Sequence, residues 1–350
     1  MKIAFYAPMN SPEDGRTSGD RMIAQQIMNG LRHLGHEVEL ASTFKTWTSE
    51  PEALDSLRKL ANEEIARLND QKYDAWLTYH NYYKAPDLLG PDITKAQGIP
   101  YFIAEASISP KRQTGPWAEH SNIVQTAIEN ANHIFSTCPR DLPALEAAGV
   151  KNITALRPWI NPDEWKSKHL PHEGGVRLHT TAMMRAGDKM ESYRVLALAL
   201  EELDVHWSLT IAGDGPEKDR VDLLLLEFGP RINFTGSLEP KFLKMTYTGA
   251  DIFVWPGIGE GLGFVYLEAM AAGLPVVAVD GPGVRGVLND KVAVLTDDSP
   301  EGFAAGIEKL FDPDARKKYV RAARNHVEDN HSQDQFIAAL KEGLEAGGIA

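Results

Sequence analysis

Cysteine is almost absent: Cys138 is the single one in 350 residues. That excludes an internal disulfide framework and a cysteine-rich metal site, and it fits a reducing compartment, so a cytoplasmic setting is expected. Long apolar runs are missing too. The longest, such as Ile252 to Pro256 and Leu274 to Val279, are of strand length, too short to span a bilayer. The opening Met1-Lys-Ile-Ala-Phe-Tyr-Ala-Pro8 has no apolar core of signal-peptide length and no small-residue cleavage site, so it reads as a first strand. Excess basic charge is likewise lacking. A formal charge of -13 argues against broad nucleic-acid binding, which needs a cationic surface to displace counterions. No period of 20–50 residues repeats, which excludes a solenoid.

What is present is ordinary for globular protein: 43% apolar and 24% charged residues, over a length that suggests two domains. Charge is unevenly divided. Residues 1–157 carry 16 basic and 19 acidic side chains, against 20 and 30 in the remainder. The nearly neutral first half would let it approach an anionic membrane surface, and peripheral contact at the inner face of the cytoplasmic membrane is an expectation.

Apolar, β-rich segments alternate with helical patterns along the whole chain, the signature of parallel sheets covered by helices. Strands are expected at Lys2 to Tyr6, Glu37 to Ser42, Asp74 to Tyr79, Ile99 to Ala104 and His133 to Ser136, with helices at Asp20 to Leu34, Glu52 to Asn69, Ala85 to Gln97 and His120 to Ala131. Proline and glycine then concentrate from Arg157 to Gly175, which reads as a linker. A second series follows: strands near Arg177–Met183, Trp207–Ala212, Ile232–Phe234, Asp251–Trp255 and Pro275–Val279, with helices between them and three more at the end. The expected fold is α/β, two Rossmann-like domains facing across a cleft, with ligands at the carboxyl ends of strands. The divisions are an N-terminal domain at 1–157, a linker at 158–176, a C-terminal domain at 177–330, and a last helix in 331–350 that packs back on the N-terminal domain.

The chemistry concentrates where Ile252-Phe-Val-Trp-Pro256 runs into Gly257-Ile-Gly-Glu-Gly-Leu-Gly263 and then a helix containing Glu268. A glycine loop lets backbone amides approach a ligand, and the first helical turn supplies unpaired N–H groups and a partial positive charge suited to a diphosphate. A carboxylate at Glu268, on a helix otherwise lined by Phe264, Val265, Leu267, Ala269 and Met270, needs hydrogen-bond donors, and ribose hydroxyls would serve. The alternative leaves Glu268 on a solvated helix face and Glu260 in a turn. A glycine loop before a helix does not choose between them.

Glu260 through Glu268, followed by Ala-Met-Ala-Ala-Gly-Leu-Pro-Val-Val-Ala, resembles the donor-site motif of glycosyltransferase family 4, a retaining family with the GT-B fold. Ile211-Ala-Gly-Asp-Gly-Pro216, Phe234-Thr-Gly-Ser-Leu238 and the pair Arg185 and Lys189 are similar to further segments of that family. The resemblance covers most of residues 177–290 and is looser over the N-terminal domain. It implies that Arg185 and Lys189 bind the diphosphate and stabilise the leaving group, that Glu260 with the amides of Gly261, Leu262 and Gly263 holds sugar hydroxyls and phosphate, and that Glu268 holds the ribose. It also implies donor-side roles for Gly19, Gly213, Ser237 and Leu238. The donor would be a UDP- or GDP-sugar, with no separate cofactor. No metal is implied either, since Asp312-Pro-Asp314 begins a late helix and reads as a cap.

Two departures from the family pattern stand out. Arg185 and Lys189 are four residues apart where five is more usual, with Met190 where glycine commonly follows. The histidine that the family often carries after its fourth strand is replaced by Glu105-Ala-Ser107. Acceptor-side candidates lie at the N-terminal strand ends: Asp20, Arg21, His80, Tyr83, Glu105 and Ser107. Each has a structural alternative: Asp20 as a helix cap, His80 as a hydrogen-bonded core residue, Tyr82 and Tyr83 as packing, Glu105 as a partner for Lys111 or Arg112. The expected activity is retaining, metal-independent transfer of a sugar to an acceptor hydroxyl. A membrane lipid is slightly preferred as acceptor, with Trp47 and Trp117 in loops; a cell-surface polysaccharide intermediate and a soluble metabolite are the other choices. Rivals are a sugar-nucleotide epimerase on the same scaffold and a non-catalytic binding protein.

Overall fold

The computed structural model describes residues 1–15, 18–165, 172 and 174–349. Part of the expected linker, residues 166–171 and 173, lies outside the described residues. The chain divides into two compact units, one of Met1–Pro158 with Asp334–Ala350, the other of Trp159–Gln333.

The first unit runs β1 (Lys2–Tyr6), α1 (Gly19–His33), β2 (Glu37–Ser42), α2 (Leu54–Asn69), β3 (Ala75–Asn81), α3 (Gly90–Gln97), β4 (Tyr101–Ala106), α4 (Ala118–Asn130), β5 (His133–Ser136), α5 (Leu142–Ala147) and β6 (Ile153–Ala155). Its parallel sheet has the order β2-β1-β3-β4-β5-β6. Both faces are covered, so β3 is buried at every position, as central parallel strands are. The helix expected from Ala85 starts only at Gly90. The buried Asp87 accounts for the delay: its carboxylate accepts from the Leu89 and Gly90 amides at 2.9 and 2.8 Å and from the Thr78 and Tyr101 hydroxyls, which organises the preceding segment as a loop. The cap of α1 is Ser18, whose hydroxyl accepts from the Arg21 amide at 3.2 Å, and not Asp20.

The second unit runs β7 (Val176–Thr181), α6 (Asp188–Glu201), β8 (Trp207–Ala212), α7 (Lys218–Leu224), β9 (Ile232–Gly236), α8 (Pro240–Thr248), β10 (Ile252–Val254), α9 (Phe264–Ala272), β11 (Val276–Val279), β12 (Val294–Thr296), α10 (Pro300–Lys309) and α11 (Pro313–Asn330). Its parallel sheet has the order β12-β11-β10-β7-β8-β9. The strands step one way from β7 to β9 and the other way from β10 to β12, so the topological switch point falls between β7 and β10. The helix expected over Glu217–Phe228 ends at Leu224 and gives way to a 3₁₀ segment, Leu226–Arg231, that is broken by a kink at Gly229. Residues ahead of β7 already belong to this unit: the Ile160 amide donates to the His331 carbonyl at 3.0 Å, and the Trp165 ring meets Tyr247 edge-on at 5.3 Å.

The last helix, α12 (Gln333–Ala346), belongs to the first unit from Asp334 onward. It buries Phe336, Leu340 and Leu344. Gly30 of α1 lies directly beneath Leu340 and Phe336, and Gly343 against Phe135, so side chains at those two positions would hold the helix off. Among the described residues, no helix is long and apolar enough to cross a membrane, and no group of three or more His, Cys, Asp or Glu side chains gathers in a way that could hold a metal ion.

Candidate functional site

The switch point of the second unit is flanked by two loops, residues 182–187 after β7 and 255–263 after β10. The first leads into α6, which carries Lys189 in its opening turn. The second leads into α9, with Gly263 in the left-handed region at φ 63° as its cap. Close approach here depends on glycine. At Gly259 (φ 65°), in the second loop, a Cβ would collide with the Asp188 carboxylate at the start of α6, and at Gly213, just after β8, a Cβ would collide with the Ala182 carbonyl of the first loop.

Lys189 Nζ donates to Glu260 Oε2 at 2.6 Å, and the same ammonium lies 5.4 Å from the centre of the Trp255 ring. The loop is further tied to α6 by the Ile258 amide, which donates to Ser192 Oγ at 3.0 Å. Among the described residues, Arg185 makes no ion pair and is exposed. The amides of Tyr266 and Leu267 bond back to Gly263, while those of Gly261 through Val265 bond to no described acceptor. Five successive N–H groups at the start of a helix, with the Lys189 ammonium held on Glu260 of the same loop, suit an anion with several oxygens. Ser237 is exposed and Leu238 half-buried after β9.

Glu268 is not on a solvated face. It is 8% exposed, and its Oε2 accepts from the Tyr247 hydroxyl at 2.9 Å. Burial pushes its carboxyl up to about 7, against the opposing pull of the Tyr247 hydrogen bond and the Lys244 charge. The sequence marked Glu268 as needing a donor but did not reveal Tyr247, which sits on a different helix and follows no spacing rule that links the two.

In the first unit the carboxyl ends of β3 and β4 hold two non-glycine residues in the left-handed region, His80 at φ 69° and Glu105 at φ 61°. Their strands pair at Tyr79–Ala104 and again at Asn81–Ala106, so the two strained residues face each other across the sheet. His80 Nδ1 lies 3.8 Å from Glu105 Oε1, and His80 Nε2 lies 3.7 Å from Asp20 Oδ1. Burial lowers the imidazole's pKa, but the Glu105 and Asp20 carboxylates prevail, and the net direction is upward. Glu105 also accepts from the Thr137 hydroxyl, and Ser107 donates to Asp141 at 2.6 Å. Asp141 and Thr137 were not foreseen. Asp20, His80, Glu105 and Ser107 thus share one polar cluster.

Arg21 and Tyr83 stand apart from it. The Arg21 Nε donates to the Pro12 carbonyl at 3.0 Å, while the Tyr83 ring packs edge-on against Trp117 at 5.1 Å, with the Arg112 guanidinium 5.2 Å from its centre. Arg112 therefore faces Tyr83, not Glu105. Trp117 is buried, unlike Trp47, and offers no loop surface. Gly19, the first residue of α1, has no left-handed backbone.

Residues 181–326 match the family described as glycosyl transferases group 1. The sulfoquinovosyl transferase of Arabidopsis thaliana is 33% identical over 137 residues, 39% of this chain and 24% of that protein. Across the first four relatives matched, the similarity covers 20–34% of their lengths. The D-inositol 3-phosphate glycosyltransferase of Corynebacterium aurimucosum is 27% identical over an alignment covering 99% of this chain and 95% of that protein. In fold, the Anabaena protein HepE, solved in complex with UDP, superposes with a TM-score of 0.75 at 15% identity, covering 99% of this chain and all of that one. The relatives are transferases, which leaves the epimerase reading without support. The parallel α/β architecture in two units is the GT-B fold, and residues 181–326, which span the glycine loop and Glu268, resemble the glycosyl transferases of group 1.

Proposed function

We propose that this chain is a retaining, metal-independent glycosyltransferase that moves a sugar from a UDP- or GDP-sugar to an acceptor hydroxyl. The observation that carries the reading is the start of α9: unpaired amides from Gly261 to Val265, the Lys189–Glu260 pair beside them and the buried Glu268 one and a half turns along. In this reading Arg185 and Lys189 neutralise the departing nucleoside diphosphate, the amides bind its oxygens, Glu260 turns to the transferred sugar and Glu268 accepts from the ribose. Arg185, Lys189 and the helix start supply the positive potential that a divalent ion provides elsewhere, so neither a metal nor another cofactor is required. Transfer proceeds on one face of the sugar, with the leaving phosphate oxygen taking the acceptor's proton.

The His80–Glu105–Asp20 cluster is the acceptor-side candidate, since strained backbone at strand ends gathers at binding sites. A membrane lipid is the preferred acceptor, on the near-neutral first half of the chain and the exposed Trp47. The protein would then work in the cytoplasm, at the inner membrane face. A nucleotide-sugar panel scored by thermal stabilisation, followed by turnover of the best donor, tests the class. No stabilisation by any UDP- or GDP-sugar would sink it. Incubating donor alone, with NMR of the sugar, separates transfer from epimerisation.

A further inference from the structure

Tyr247 of α8 is fully buried and its ring is fixed on three sides. Phe253 stacks on it at 5.7 Å with planes 6° apart, His179 meets it edge-on at 4.5 Å, and Trp165 closes the third side at 5.3 Å. A ring so held can send its hydroxyl in one direction only, and that direction is Glu268 Oε2, at 2.9 Å. Glu268 Oε1 makes no hydrogen bond among the described residues.

The polar chain behind Tyr247 has one consistent set of protons. His179 Nδ1 lies 3.1 Å from the Thr210 carbonyl oxygen, which can only accept, so Nδ1 carries the hydrogen and Nε2 is bare. The Thr181 hydroxyl, 3.1 Å away, donates to that Nε2. The Thr246 hydroxyl, at 3.2 Å, is already committed to the Leu243 carbonyl at 2.7 Å. Burial lowers His179 to about 4, which keeps it neutral in this role. His179, pinned in this way by the Thr210 carbonyl and the Thr181 hydroxyl, is the ring that meets Tyr247 edge-on.

We propose that Tyr247 is a positioning residue for the nucleotide site: it occupies Glu268 Oε2, so that Oε1 is the oxygen presented to the ribose hydroxyls, and Thr181 and His179 hold it in that task. The inference rests on the reading of Glu268 as the ribose acceptor. The charged and titratable groups facing Glu268 come from α8, namely Tyr247 itself and Lys244, whose ammonium is paired with Glu164 at 2.9 Å. Both favour the ionised carboxylate, although burial outweighs them, so losing the Tyr247 donor raises further the pH at which Glu268 ionises.

The test is calorimetric binding of UDP, GDP and ADP to the full chain between pH 6 and 9, with steady-state turnover of the matching sugar donor. For the nucleotide that wild type binds best, Tyr247→Phe is expected to raise Kd at pH 7 about tenfold. The acid-side midpoint of binding moves up by about half a unit to one unit, while kcat at saturating donor stays within about threefold. Thr181→Val keeps the fold's shape, removes only the hydroxyl, and should move Kd and midpoint the same way by less. Should Glu268→Gln weaken binding while Tyr247→Phe, or Thr181→Val if the former does not fold, leaves both Kd and midpoint at wild-type values, the positioning role is overturned alone. If Glu268→Gln binds like wild type, or wild type binds none of the three nucleotides, the ribose reading falls and takes the inference with it.

Discussion

Lys189 Nζ lies 2.6 Å from Glu260 Oε2, which joins the first turn of α6 to the loop that precedes α9. The two side chains are about one quarter and one seventh exposed, so the pair is neither a surface ion pair nor a sealed one. In the proposed reading it pre-assembles the donor side: the ammonium that would meet phosphate and the carboxylate that would meet sugar hydroxyls hold each other in place.

Replacing Lys189 with alanine should therefore cost little stability and much activity. Loss of a partly exposed pair is worth about 1 kcal/mol or less, while loss of a cation aimed at a leaving group costs on the order of 100-fold in kcat. Thermal melts and donor kinetics on the same preparation check both halves. A Lys189→Ala enzyme with unchanged kcat would remove Lys189 from the mechanism.

Glu268 should impose a pH dependence on the unliganded protein. Its folded pKa, about 7, stands above the ordinary value of 4.5, because burial disfavours the charged form. A raised carboxyl holds its proton longer in the folded state. Its contribution is complete below pH 4.5 and is lost as pH rises through 7, by an amount of the order of a few kcal/mol. Urea unfolding from pH 4.5 to 8 should show this decline, and Glu268→Gln should flatten it.

His80 acts in the next window. Its folded pKa is raised above 6.5, against burial, by the Glu105 and Asp20 carboxylates. The stability it supplies is fully present below pH 6.5 and disappears as pH climbs through the raised value. His80→Asn, which tolerates the left-handed backbone, should lose that alkaline decline while keeping the fold. Imidazole NMR titration of wild type gives the midpoint directly, and a value below 6.5 would contradict the assignment.

Gly283→Ala should displace the loop before α9 although its backbone, at φ -72°, is open to any residue. At such a position alanine ordinarily stabilises by about 0.4–1 kcal/mol. Here the added Cβ would collide with the Glu260 carbonyl. The loop must shift, and with it Glu260 and the amides after it. A fall of about tenfold in kcat/KM is expected, measured with the preferred donor, and an unchanged value would show that the loop accommodates the methyl.

The order of strands and helices was legible because burial on both faces of a parallel sheet writes itself as short apolar runs, and Gly257 to Gly263 before an apolar run marked the turn between β10 and α9. The three-residue strands β6 and β12 escaped because Ile153–Ala155 and Val294–Thr296 are too short to show a period. The loop before α3 escaped because its shape comes from Asp87, whose partners Thr78 and Tyr101 lie on two strands. Glu268 could be recognised as a carboxylate in want of donors, since its neighbours on the helix are apolar. That Tyr247 is one of those donors depends on where α8 packs. The same holds for the first unit. Sequence supplied His80 and Glu105 as candidates, but only the pairing of β3 with β4 set them opposite each other in left-handed backbone, because register between strands is fixed by the packed sheet and not by neighbours along the chain.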